Sequence, residues 1–149
     1  KERYRFLIRA NSFQGNHITE AWLDTMLELS ELPKMIEAAG KMGPGPMPGS
    51  GSAKSKGGIG SIFLRDIEAR REETHQWIKE GGLKVPTLII WGYNDPSAPV
   101  NPHGIDAMNL ILPNTRNSRM HIINEAGHYC FREQPTEFVA TITAFIKSL

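Results

Sequence analysis

Apolar and polar positions alternate along the chain with two different periods. Residues 1–42 follow the helical one. Thr19 is placed to cap a helix whose apolar positions include Trp22, Leu23, Met26, Leu27 and Leu29. Pro33 then starts a second short helix, which Gly40 can close. Residues 59–79 are helical again and heavily charged, with Ile62, Phe63, Ile67 and Trp77 as the expected buried side, His75 as a solvated histidine, and Gly81 and Gly82 as the stop. Residues 85–91 (VPTLIIW) form a continuous apolar, β-branched run, the signature of a strand buried on both faces of a parallel sheet. Asn101 and Pro102 predict the start of a helix carrying Ile105, Met108 and Leu112 on one face, stopped at Pro113. Residues 119–123 (RMHII) predict a second strand. Gln134 and Pro135 open a last helix with Glu137 in its first turn and Phe138, Ile142, Phe145, Ile146 and Leu149 on one side. Strand, helix, strand, helix with short links implies parallel strands and an α/β sheet.

Between these patterned regions, residues 43–58 (GPGPMPGSGSAKSKGG) are almost entirely Gly, Pro, Ser and Lys. Such a stretch offers too little apolar surface to offset the entropy of ordering it, and predicts a mobile loop. It contains no G-x-x-x-x-G-K-[ST] window, so it does not read as a phosphate cradle.

In open α/β sheets reactive groups gather beyond the carboxyl ends of strands. Two loops have that position. The first, residues 92–99, carries Asp95; the second, residues 125–128, carries His128. A carboxylate that accepts the imidazole Nδ1–H fixes the tautomer and leaves Nε2 to act as a base. Taken singly, Asp95 before Pro96 reads as a turn residue and His128 as a packed loop residue. At equivalent strand ends, each followed by a helix, they read as a pair.

These segments resemble the C-terminal part of the α/β-hydrolase superfamily. The pattern V-P-T-L-hydrophobic-hydrophobic-W-G-x-x-D-x-x-x-P matches residues 85–99, and hydrophobic-x-x-x-G-H followed by x-x-E-x-P-x-x-F matches residues 123–138. The resemblance implies Asp95 as the triad acid and His128 as the triad histidine. Within the superfamily the chain is most similar to the carbon–carbon bond hydrolases of meta-ring-cleavage products in aromatic degradation. Residues 17–23 (HITEAWL) resemble the "LITEELL" start of their cap, and residues 31–36 (ELPKMI) their Pro-led helix. Two positions depart from that pattern. Met26 stands where the family carries a substrate-gripping Arg, with Arg3, Arg5 and Arg9 as substitutes from another direction, and Tyr129 stands where a Trp commonly follows the histidine. Residues 43–58 then read as an insertion into the cap. The resemblance implies a helical cap over residues 1–80, a hydrolase core over residues 81–149 with an incomplete sheet, and Phe13, Trp22, Met26 and Tyr129 as substrate-binding wall residues.

What composition adds is mainly exclusion. The net charge of +1 gives no reason to expect nucleic acid or an acidic membrane surface, and no apolar run is long enough for a bilayer-spanning helix. A single cysteine, Cys130, excludes an internal disulfide and suits a reducing, cytoplasmic compartment. No two histidines stand at metal-ligand spacing, and the reaction implied needs no metal or organic cofactor. No serine lies in G-x-S-x-G: Ser50 and Ser52 have the wrong spacing, and Ser97 is flanked by Asp95 and Pro99. Cys130 reads as a packed thiol rather than a nucleophile. The chain begins at Lys1 in the middle of a helical pattern. The expectation is therefore a piece of a longer enzyme that acts on a small-molecule substrate. Its partner would be an N-terminal half bearing the nucleophile, with homo-oligomerisation left open, and the piece alone would be inactive. The rivals are an ester, lactone or epoxide hydrolase with the same acid and histidine loops, and a hydrolase-like protein that binds a ligand without turnover.

Overall fold

A computed structural model describes residues 1–42 and 59–149, with side chains for residues 1–41 and 65–149. The Gly/Pro/Ser segment 43–58 and the side chains of Ile62 and Phe63 lie outside the described residues. The N-terminal region is helical: α1 (Glu2–Ala10), α2 (Glu20–Ser30) and α3 (Pro33–Met42). The Thr19 hydroxyl accepts the Trp22 N–H at 3.2 Å, satisfying one of the unpaired amides of the first turn of α2. Ile8 and Leu23 are the buried apolar residues of α1 and α2, and Lys1 and Arg5 pair with Glu20 and Asp24 across the two helices. Leu29, Met35 and Ile36 are exposed. Helix α3 does not close at Gly40 but continues to Met42.

The long helix α4 (Ile59–Gly81) corrects the expected buried side. Ile67 and Trp77 are 46% and 61% exposed, and among the α4 residues whose side chains are described Ile78 is the buried one. A helix buries only the stripe that meets another layer. Among the described residues α4 meets α5 (Ile105–Ile111) near its C-terminal end. The stop at Gly82 is steric and conformational together. Its φ is +63°, and a Cβ there would stand 1.7 Å from the Asn114 carbonyl oxygen. The next residue, Leu83, donates its N–H to the buried Thr115 hydroxyl at 3.0 Å, which fastens the entries of the two strands side by side.

Those strands are β1 (Thr87–Gly92) and β2 (Ser118–Ile123), parallel, with Thr87 opposite Ser118 and Gly92 opposite Ile123. They end level, which puts the two following loops beside each other. Burial on both faces of β1 is not what is found: Val85 is 64% exposed and the strand is only half-buried up to Gly92. The described residues provide a two-stranded sheet with α7 (Pro135–Lys147) packed on it and the Val100–Gly104 segment against β1. The core is accordingly small. It comprises Ile123, Ala126 and Cys130, with Ile90 and Phe138 against them, while Ile146 and Leu149 point away. The expected helix start at Asn101 is also displaced. Residues Val100–Gly104 form a π-type turn in which Asn101 has extended dihedrals, and regular helix begins at Ile105.

Candidate active site

Asp95 and His128 meet at the level end of the sheet. The loop after β1 folds back over its own strand because the Trp91 indole N–H donates to the Ala98 carbonyl at 2.8 Å. The loop after β2 crosses the end of β1: Tyr93 N–H donates to Ile123 O and Asn94 N–H to Ala126 O, at 2.8 and 2.9 Å. Only glycine allows this crossing, since a Cβ on Gly92 would lie 2.1 Å from Gly127 O. The result is a 2.8 Å hydrogen bond between Asp95 Oδ2 and His128 Nδ1. With Nδ1–H donating to the carboxylate, Nε2 is the free nitrogen. The Asp95 carboxylate is buried, whereas the His128 side chain is 52% exposed and reachable. A small cleft of about 180 Å³ opens beside the pair, lined by Ile90, Trp91, Ala98 and Cys130 among others.

Asp95 is well supplied with donors. Its Oδ1 accepts Ser97 N–H at 2.8 Å, the Ser97 hydroxyl at 2.7 Å and Ala98 N–H at 3.0 Å. Burial pushes this carboxyl up, but the bonds from Ser97, His128 and Ala98 outweigh it and hold Asp95 below the usual carboxylate range. The Ser97 oxygen also lies 3.1 Å from His128 Nδ1, so it touches both members of the pair. Ser97 is not among the sequence-predicted site residues; the signal that could have found it is its place two residues after an Asp in a loop, an Asx-type turn.

The aromatic residues expected around a pocket divide. Tyr129 packs edge-on against His128, with ring centroids 5.6 Å apart, and Trp22 packs edge-on against Tyr129 at 5.4 Å. The Arg132 guanidinium stands 4.1 Å over the Trp22 ring. Phe13 is half-buried in the segment that abuts the His128 loop, and Met26 is half-buried on α2. Of the candidate substitute arginines, Arg5 is bonded to Glu20, and Arg9 to the Ser12 and Phe13 carbonyls; Arg3 is exposed on α1. His17, not anticipated from the sequence, is buried between Trp22 and Tyr129 and contacts the Ser12 hydroxyl at 3.3 Å. Cys130 lies in the core, where burial pushes its thiol up, away from the thiolate that nucleophilic chemistry needs. Among the described residues no group of three or more His, Cys, Asp or Glu side chains could hold a metal ion, and no helix is long and apolar enough to cross a membrane.

A carboxylate and an imidazole are thus hydrogen-bonded at the ends of two parallel strands on a partial α/β fold, with His128 Nε2 outside that bond. Comparison with known proteins agrees in family. The chain is 32% identical over 65 residues to the 2-hydroxy-6-oxononadienedioate/2-hydroxy-6-oxononatrienedioate hydrolase 2 of Pseudomonas putida. It is 28% and 27% identical over 85 residues to the hydrolases of the same description from Klebsiella pneumoniae and Cupriavidus pinatubonensis. The chain thus resembles the meta-cleavage carbon–carbon bond hydrolases. The matches take in 44% of this chain and 21% of the first relative, and 56% and 28% for the other two. No protein-family model matches.

Proposed function

We propose that the chain supplies the acid and the base of a serine-type α/β-hydrolase that cleaves a carbon–carbon bond in a 2-hydroxy-6-oxo-dienoate type of acid. The observation that carries this reading is the 2.8 Å bond between Asp95 and His128 at the level ends of two parallel strands. Asp95, buried and ionised, orients His128 and stabilises its imidazolium. His128 Nε2 takes the proton of a hydroxyl or water that attacks the 6-oxo carbon. The bond between that carbon and its neighbour in the diene then breaks, its electron pair stays with the conjugated fragment, and the imidazolium returns the proton. Attack by water releases the 6-oxo carbon directly as a carboxylic acid, whereas attack by a serine hydroxyl leaves it as an ester on that serine, which a water deprotonated by His128 then hydrolyses to the acid and the free hydroxyl. The nucleophile and the oxyanion donors would come from a segment outside this sequence, since no G-x-S-x-G occurs here. Residues 1–80 would form most of a cap over the pocket and residues 81–149 the C-terminal part of the hydrolase core. Tyr129 and Trp22, linked ring to ring with His128, would line the substrate's path, with Phe13 and Met26 further out.

Hydrolysis of a 2-hydroxy-6-oxo-dienoate breaks its conjugated system, so turnover is followed by loss of its absorbance. In the protein that carries the nucleophile, His128→Ala is expected to lower kcat by roughly 10⁴-fold or more. Turnover at the wild-type rate would overturn the triad. Tight dienoate binding with no turnover in either protein would favour the ligand-binding reading.

A further inference from the structure

The segment between α1 and α2 and the loop that carries His128 are fastened together by one side chain. Glu133, in α6 (Cys130–Glu133), accepts Phe13 N–H at 2.7 Å and Gln14 N–H at 3.0 Å through Oε1, and Gly127 N–H at 2.7 Å through Oε2. The His128 N–H donates in turn to the Asn11 carbonyl at 2.8 Å. The backbones are in direct contact, since a Cβ on Gly127 would stand 2.7 Å from both Asn11 O and Phe13 N. Three bonds therefore join residues 11–14 to the His128 loop and α6, and a fourth ties Gly127 to the same Glu133 carboxylate. A carboxylate is the one side chain suited to this place. It accepts only, on two oxygens, whereas glutamine would turn an amide N–H against one of the backbone donors.

We propose that Glu133 is a positioning residue, a latch through which residues 11–14 hold the His128 loop in the conformation that seats the imidazole on Asp95. Its meaning for catalysis rests on the reading of His128 as a base, but the latch itself is read without turnover. The consequence is coupling over a long sequence distance. Withdrawal of residues 11–14 unbonds the His128 amide and strips Glu133 Oε1 of its two donors in one event, leaving Gly127 N–H on Oε2 as the loop's remaining bond to Glu133.

Amide hydrogen exchange on the protein, wild type and E133A, tests this. The amides of Phe13, Gln14, Gly127 and His128 are expected to exchange together, roughly tenfold or more faster than in wild type, while those of α2, β1 and β2 keep their protection. The imidazole 15N shifts of His128 should move toward the tautomer mixture of a free histidine. Faster exchange at Gly127 alone, with Phe13 and Gln14 unchanged, overturns the latch. Should E133A unfold and exchange everywhere, E133Q decides. Its carbonyl can still accept on one side, so either the Phe13 and Gln14 pair or Gly127 is expected to regain protection. In the protein that carries the nucleophile, E133A should lower kcat and leave KM within about twofold, and a loss confined to KM overturns the positioning role. If His128→Ala remains fully active while the exchange result holds, the hydrolase reading falls and the latch stands.

Discussion

His17 shows how a single residue's environment sets a measurable property. Its ring is about nine-tenths buried between Trp22 and Tyr129, and its Nδ1 has no hydrogen-bond partner. Burial lowers its pKa from the ordinary 6.5; Glu133 opposes the shift, while Arg132 and Arg9 add to it. The unfolded chain therefore binds the proton more tightly than the folded one. Stability from the neutral ring is fully present above pH 6.5 and is lost as pH falls through that value toward the lower folded one. His17→Phe keeps a buried ring, and it leaves Ser12 satisfied because that hydroxyl already donates to Ile8 O at 2.7 Å. The variant is expected to match wild type in urea midpoint at pH 7 and to lose less between pH 7 and pH 5, which a pair of pH-dependent melts will read. Equal slopes for the two proteins would remove His17 as the titrating group. Asp95 acts in a separate window: its lowered pKa means that its contribution is present above pH 3.8 and is lost only below it.

At the scale of the elements, the two turns that enter the strands set how the loops carrying Asp95 and His128 meet. Gly82 closes α4 at φ +63° with the Asn114 carbonyl where a Cβ would go, and Thr115 anchors Leu83 next to it. The obstruction is backbone, which cannot swing aside as a side chain could. Gly82→Ala is therefore expected to destabilise by roughly 2–4 kcal/mol, combining left-handed strain with overpacking. Gly40→Ala is the control. It sits inside α3 with nothing within 4 Å of the added methyl, and should be stabilising by up to about 1 kcal/mol. Urea denaturation of both variants reads the contrast, and a neutral Gly82→Ala would refute the steric account. The Thr19 cap follows from contacts local in the sequence. The face that each helix buries does not, which is why Ile67 and Trp77 were misassigned on α4 while Thr19 was placed correctly.

Over the whole molecule, the described residues leave much apolar surface in water, including Phe6, Ile36, Ile122, Val139 and Ile146. Among them β1 has β2 on one edge and no strand on the other. A strand edge with exposed apolar neighbours invites pairing. Together with the absence of a G-x-S-x-G serine and matches that span 21–28% of the relatives' length, this supports a site completed by another segment. The 149-residue chain by itself is expected to give no detectable loss of dienoate absorbance, and to gain activity when combined with a polypeptide bearing the elbow serine. Hydrolysis by the chain alone, abolished by His128→Ala, would show that the nucleophile is among these residues and would overturn that part of the proposal.

The sequence by itself determined the kinds of elements and their order, because strand and helix periods, the Thr19 cap and Pro135 at the start of α7 are local signals. It also marked Asp95 and His128, since each stands just past a strand, where an α/β sheet gathers its reactive groups. Tertiary structure alone decided the rest. The in-register pairing of β1 with β2 brings the two side chains to 2.8 Å, and packing chooses Ile78 over Trp77 as the buried residue of α4. Ser97, His17 and Glu133 each complete their surroundings with a partner distant in the chain: His128, Tyr129 and, across 120 residues, Phe13. A periodic pattern reports which faces a segment can bury, but a hydrogen bond between remote residues is fixed by the layer that covers them, and that layer exists only in the folded molecule.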